Sequence, residues 1–299
     1  NFTKDIQEFD NTRDFNVINS VNELAALRFD GALMMLGEVE VALASHKLVE
    51  NQNLSNERGF IDRSLDHYSN KLDLRKYLNL NKVEWMFGAQ AEESKLNFWD
   101  DQMLSNVQQV GLKRAEVIRT QAGIATVLKL HSKGDEAGQW LTDVDVSYRY
   151  DYVRDRSDSL INRKDIIDFS EIASLVDFGN NEWSNNIFKI STNASKRAPG
   201  LTTAYWVTTG NNIKFPSLQQ QISQITFLNP NQQRLMPERM KSLEMGINIL
   251  TEPKEMENID QMELQASFFR NDYINKMRST FLLGMPIAYF ENVTLATMS

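Results

Sequence analysis

The stretch Asp143-Val-Asp-Val-Ser-Tyr-Arg-Tyr-Asp-Tyr-Val153 alternates without a slip. Val144, Val146, Tyr148, Tyr150 and Tyr152 fall on one side of an extended chain, and Asp143, Asp145, Ser147, Arg149 and Asp151 on the other. Successive side chains of a strand point to opposite faces, so this period of two predicts a half-buried strand. Upstream the period changes. Leu96, Trp99, Met103, Val107, Val110, Val117, Ile124 and Leu128 recur at spacings of three, four and seven, which predicts one apolar stripe on a long helix over 91–130. At about 1.5 Å per residue it would reach roughly 50 to 60 Å, with Gly111 and Gly123 as points of bending.

Leu24, Leu27, Leu36, Val39 and Leu43 predict a further helix within 21–48. Residues 51–81 open on loop material, Asn51 to Gly59, and continue as a short helix or as an excursion that packs on a neighbour, with Leu65, Leu72, Leu74, Tyr77, Leu78 and Leu80 among charges. Downstream, Asp165 is placed to cap a helix carrying Ile166, Ile167, Phe169, Ile172, Ala173 and Val176, which Gly179 ends. Residues 180–200 are polar loop, and Leu201 to Val207 form a strand. Pro216 opens a helix with Leu218, Ile222 and Ile225, which Pro230 stops. Leu243 to Ile249 and Met262 to Phe268 alternate, Arg270-Asn271-Asp272 makes a turn, and strands over 273–283 and 287–295 complete an antiparallel set. The expected fold class is therefore α+β: an arm over 1–20, a helical and extended peripheral region over 21–90, and an α+β core over 91–299. That core has the spine-like helix at 91–130, mixed helices after it and a C-terminal antiparallel sheet at 243–296.

Composition excludes several classes. The 299 residues contain no cysteine, which removes disulfide scaffolds, zinc ribbons, iron–sulfur clusters and thiol nucleophiles. The three histidines, His46, His67 and His131, are far apart in the chain, which argues against a His-rich metal site. A net charge of -8 argues against a nucleic-acid coat. The longest strongly apolar stretch, Phe281 to Phe290, falls short of the roughly 20 residues of a membrane-spanning helix, so no membrane is expected. No charged-then-apolar leader opens the chain, and no signal peptide is expected. Amides are abundant, with 28 Asn and 16 Gln.

Catalytic patterns are missing. There is no Gly-Lys-Ser or Gly-Lys-Thr, no Gly-x-Gly-x-x-Gly and no Gly-x-Ser-x-Gly. Asp143 and Asp145 share a strand face and have the oxygen chemistry for Mg²⁺ or Ca²⁺, but Arg149 in the same stripe favours a solvated face. Asp155, Asp158, Asp165 and Asp168 suit caps and loops. Glu38 and Glu40 lack the Glu-x-x-His partners of a carboxylate bundle. Lys113, Arg114 and Arg119 offer a phosphate-facing patch, against which stands the plainer reading that they complement the C-terminal half of the expected long helix or solvate it. The expectation is no enzyme, no catalytic, cofactor-binding or metal residue, and no cofactor.

The C-terminal segment Phe268-Phe-Arg-Asn-Asp-Tyr-Ile-Asn-Lys-Met-Arg-Ser-Thr-Phe-Leu-Leu-Gly284, followed by Met285-Pro-Ile-Ala-Tyr-Phe-Glu-Asn-Val-Thr-Leu295, sets a strand with Arg278, a glycine at 284 and a short last strand. It resembles the closing strands of tailed-phage major capsid proteins of the HK97-like fold, in which a spine helix precedes a mixed α+β domain. The start at Asn1 resembles a mature coat protein whose N-terminal segment was cut away. The resemblance implies a structural, self-assembling capsid subunit of an icosahedral shell around a genome. Its partners would be copies of itself and other virion proteins, with no membrane and no sequence-specific nucleic acid. It would reside in the virion, assembled in the host cytoplasm, with 51–81 and 180–195 as contact segments. The alternatives are another virion component (connector, tail or internal protein), a viral nucleoprotein, or a cytoplasmic enzyme with a dispersed carboxylate site.

Overall fold

The computed structural model describes residues 2–11, 14–33, 37–56, 59–104, 112–132, 139–162, 180–198, 200–221, 235–251, 261–281 and 288–298. They form twelve strands: β1 (Phe2–Asn11), β2 (Asp14–Leu33), β3 (Gly37–Asn56), β4 (Gly59–Leu80), β5 (Val83–Leu104), β6 (Leu112–His131), β7 (Trp140–Asn162), β8 (Asn181–Ala198), β9 (Leu201–Lys214), β10 (Glu238–Thr251), β11 (Met262–Phe281) and β12 (Ala288–Met298). Each strand pairs antiparallel with the next, in one sheet whose spatial order is the chain order. Such a meander needs only local connections. Asn81, at φ 54°, turns β4 into β5, and Gly200, at φ 75°, turns β8 into β9. Both residue types enter this left-handed region readily.

The alternation at 143–153 lies within β7, and register carries it sideways. Tyr150 pairs with Ile124, Ile124 with Ala89, Ala89 with Leu74, Leu74 with Val41, and Val41 with Phe29. Toward the other edge, Val144 pairs with Thr192, then Val207, Met245 and Phe268 follow in line. These rows share one face. The opposite face carries rows such as Asp73, Gln90, Gly123, Asp151 and Asn185. The sheet thus has an apolar face and a polar face.

Burial inverts the usual rule. Leu27, Phe29, Ile124, Leu264 and Leu295 on the apolar face are exposed, while Arg119, Asp151 and Asp155 on the polar face are buried. The buried apolar residues Leu65, Leu96, Phe98, Ala115, Val117 and Val153 also belong to the polar face, clustered toward one end. Leu218 and Leu235, from the connection between β9 and β10, are buried too.

The α+β expectation is overturned. Among the described residues 91–130 forms no helix: it lies in β5 and β6, with 105–111 outside the description. The helical spacing arose because this stretch is apolar on both faces in part. Leu96, Phe98, Ala115 and Val117 sit on the polar face, while Ala91, Ala122, Ile124 and Leu128 sit on the other, which blurs the period of two. The helix expected within 21–48 is β2 and β3, the excursion at 51–81 falls in β3 and β4, and the polar loop at 180–200 is largely β8. Arg270-Asn271-Asp272 is no turn but the interior of β11, paired with β10. The strands expected over 201–207, 243–249, 262–268 and 287–295 fall in β9 to β12, as part of the twelve-stranded sheet rather than a separate terminal one. The helix expected at 165–179, and Gly284, lie outside the described residues, as do residues 222–230 of the helix expected from Pro216; 218–221 is one helical turn. Without a spine helix the HK97-like resemblance fails.

Candidate functional site: the polar face

The two ends of the sheet differ. At one end the links are 34–36, 81–82, 132–139, 199–200 and 252–261; at the other they are 12–13, 57–58, 105–111, 163–180, 215–237 and 282–287. The second end therefore holds the longest connections. On the apolar face the first charges met on the way toward it are Glu23, Lys47, Glu93, Glu116, Arg154 and Lys241, which border the apolar band. Lys47 pairs with Glu23 at 3.5 Å, and Lys95 pairs with Glu116.

The polar face carries ion pairs both between neighbouring strands and along single strands. Glu40, 7 % exposed, receives Arg28 at 3.4 Å and Arg75 at 3.6 Å, and the Tyr77 hydroxyl donates to it at 3.2 Å. Arg75 and Lys71 both approach Asp73. Cross-strand pairs of opposite charge stabilise a sheet, and partial burial raises their value over surface pairs. Further along, Arg149 holds Asp151 at 2.8 Å, and a Cβ at Gly123 would collide with that carboxylate. Gly123 is the space that lets the Asp151 side chain lie flat against the face.

The tightest cluster lies where the polar face turns apolar. Arg119 Nε and Nη2 donate to the two oxygens of Asp155 at 2.7 and 2.9 Å, a bidentate pair. Gln221 Nε2 donates to the same carboxylate at 2.7 Å, and the guanidinium lies 5.9 Å from the Trp183 ring centroid. Between β6 and β11 the face also encloses a cavity of about 740 Å³, lined among others by Arg149, Lys189, Glu244, Thr208, Asn212 and Phe269. That is the size of a small-ligand site, and the lining offers hydrogen bonds, two positive charges against one negative, and an aromatic edge.

The residues weighed in the sequence are distributed differently from expectation. Asp143 and Asp145 do share the polar face; Asp143 accepts from His131 Nδ1 at 2.9 Å, and Asp145 lies opposite Lys129 in the strand register. His46 and His67, distant in sequence, meet edge to face at 6.1 Å between centroids. No group of three or more His, Asp or Glu side chains able to hold a metal occurs among the described residues. Arg114 and Arg119 are on opposite faces of β6, so they form no common patch. Asp165 and Asp168 lie outside the described residues. The carboxylate–guanidinium pairs of Glu40 and Asp155 were not visible in the sequence as sites. The signal that points to Arg119 is the parity Ala115, Val117, Arg119, Gln121, Gly123, Ala125 along one face of a strand.

A long-stranded antiparallel meander, apolar on one face and ion-paired on the other, with its longest links gathered at one end, is the construction of a transmembrane β-barrel wall. Solved structures share it. The chain is similar to the hemophore receptor HasR of Serratia marcescens, in complex with its hemophore HasA and heme, with TM-score 0.53 and 13% identity over 95% of this chain and 45% of that one. It is similar to the copper transporter OprC, with TM-score 0.64 and 11% identity over 96% and 47%. It is similar to the alcaligin outer membrane receptor FauA of Bordetella pertussis, with TM-score 0.53 and 9% identity over 99% and 46%. The chain thus spans less than half the length of these proteins, and the likeness is one of fold. No family model and no curated protein sequence matches the chain.

These neighbours overturn the capsid-subunit expectation, and with it the virion location and the absence of a membrane. The apolar-stretch test failed for a physical reason. A helix must be apolar all round to cross a bilayer, whereas a tilted strand needs about 9–11 residues that are apolar on alternate positions only.

Proposed function

We propose that the chain forms part of the wall of an outer-membrane β-barrel that receives a polar solute and passes it along its inner, polar face. The observation that carries this is the strong bias of the exposed large apolar residues to one face, against which stand only Leu24, Leu141, Phe269 and Met298 among the described strand residues. Leu27, Phe29, Leu43, Leu74, Trp85, Ile124, Tyr148, Phe188, Val207, Met245, Leu264 and Leu295 are all exposed and all on one face. In water each such side chain would forgo about 1.5–3 kcal/mol of burial, so a sheet presenting this many calls for an apolar solvent. Hydrocarbon supplies it, and the paired strands satisfy the backbone there. The inner face, with its ion pairs and the cavity of about 740 Å³, supports binding and passage of a solute rather than a chemical step. The similar structures, two receptors and a transporter, support the same non-enzymatic role.

The cysteine-free sequence permits a direct test. Single cysteines introduced one at a time over 143–153 of the intact protein, each carrying a fluorophore, should be quenched by lipid-borne quenchers with a period of two. Quenching should be strong at 146, 148 and 150 and weak at 147 and 149. Equal quenching at all positions would refute the assignment of faces and the membrane with it.

A further inference from the structure

The cavity on the polar face holds three charged side chains, Arg149, Lys189 and Glu244. Glu40, Asp151 and Asp155 on the same face are each matched by an arginine. Lys189 and Glu244 are different: among the described residues neither side chain has an ion pair or a hydrogen bond. Both are exposed, so a solute in the cavity can reach them.

Register fixes where these charges stand. One row crosses the cavity floor: Ser147 pairs with Lys189, Lys189 with Gly210, and Gly210 with Ser242. Arg149, on β7, is one row nearer the end with the longest connections; Glu244, on β10, is one row nearer the other end. With strands about 4.8 Å apart and about 3.4 Å per residue, Arg149 lies roughly 8 Å from Lys189 at the backbone, and Glu244 roughly 12 Å from Lys189 on the far side. The two cations and the carboxylate therefore occupy opposite ends of the floor. Gly210 lies between them and puts no side chain in the way; a Cβ there would come within 2.6 Å of the Phe188 carbonyl oxygen.

Each end has a further feature. Arg149 Nε donates to Asp151 at 2.8 Å, which fixes the guanidinium while its terminal nitrogens keep their own donors for a second acceptor. At the other end Phe269 pairs directly with Glu244 and is 43 % exposed, a phenyl ring left open on a polar face. A carboxylate with an aromatic ring beside it is the chemistry that holds an ammonium group, by charge and by the negative face of the ring. We propose that the cavity binds an elongated zwitterion, with its carboxylate at Arg149 and Lys189, its ammonium group at Glu244 and Phe269, and roughly 10 Å between them, the span of an extended tripeptide. Thr208, Asn212 and Asn271 offer donors and acceptors to the peptide-like middle of such a solute. A solute with two carboxylates would bring one against Glu244, and one with two amines would bring one against Lys189, so the pattern of charges selects against both. The inference deepens the proposal that the polar face takes up a polar solute, and rests on it.

The probe is the tripeptide Gly-Phe-Gly with both termini free, radiolabelled and dialysed to equilibrium against the intact protein in detergent micelles. It should bind saturably, and its N-acetylated and C-amidated forms should each bind several-fold more weakly. Glu244→Gln should weaken binding of the free peptide several-fold and abolish the difference made by N-acetylation, while keeping the difference made by C-amidation. Lys189→Met should do the reverse. Unchanged circular dichroism checks that both variants fold, and Glu244→Ala or Lys189→Gln replaces one that does not. No saturable binding to the native protein, equal binding of the three peptides, or an N-acetylation penalty that persists in Glu244→Gln would overturn the site. Loss of the period-two lipid quenching in β7, with binding and its charge dependence retained, would instead remove the membrane and leave the site standing.

Discussion

Asp155 makes heavy demands among the described side chains of the polar face. Its carboxylate is fully buried and accepts three hydrogen bonds, two from Arg119 and one from Gln221. Asp155→Ala would strand the Arg119 guanidinium without its counter-charge, at a cost of about 3–5 kcal/mol. Replacing both partners, Arg119→Met with Asp155→Leu, should cost clearly less than Asp155→Ala, and urea unfolding of the folded protein in lipid vesicles compares the two. Gly246 carries a second residue-scale constraint. The Trp206 indole of the paired strand lies over it, so a Cβ there would sit inside the ring. Gly246→Val should force the indole aside, cost about 1–3 kcal/mol and shift its fluorescence, whereas Gly88→Ala, where a Cβ meets ordinary contacts, should do neither. In the sequence Arg119 had the look of a charge near a helix end. Its true role needs a partner 36 residues away, and one sequence does not show which residues of two strands face each other.

At the scale of elements, the hairpin of β4 and β5 depends on Asn81 at φ 54°. Asn81→Gly should leave stability nearly unchanged. Asn81→Val, with a β-branched side chain in the left-handed region, should lose about 1–2 kcal/mol and slow assembly of the hairpin, read by unfolding and by refolding kinetics into vesicles. β7 was legible because its two faces differ as strongly as Tyr differs from Asp. β5 and β6 were not. Their apolar face includes Ala89, Ala91, Ala122 and Thr126, their inner face includes Leu96, Phe98 and Val117, and alanine serves a helix as readily as a membrane-facing strand. β8 was hidden by asparagine and serine on both faces, as in Ser184, Asn185 and Asn186, which look like loop.

For the molecule as a whole, the two faces make opposite demands on the same substitution. Ile124→Arg, mid-band on the apolar face, should lower the folding free energy in bilayers by about 2–4 kcal/mol. Asn185→Arg, on the inner face beside Asp151, should change it little, and parallel folding titrations in vesicles of one composition separate the two. The twelve-stranded order itself was illegible because it is a property of pairing, and pairing left no mark in a chain whose apolar residues already fitted helical spacings. The same order has a consequence in height. On β5 the outward charges begin at Glu93, yet the strand runs on to Leu104; on β7 they begin at Arg154, and the strand runs on to Asn162. At about 3.4 Å per residue and a tilt near 45°, the β5 extension would stand roughly 25–30 Å clear of the hydrocarbon in the proposed membrane setting. On the proposed membrane reading, β5 therefore carries its pairing with β4 out to Leu104, well past the lipid headgroups, so the wall outlasts the bilayer on that side.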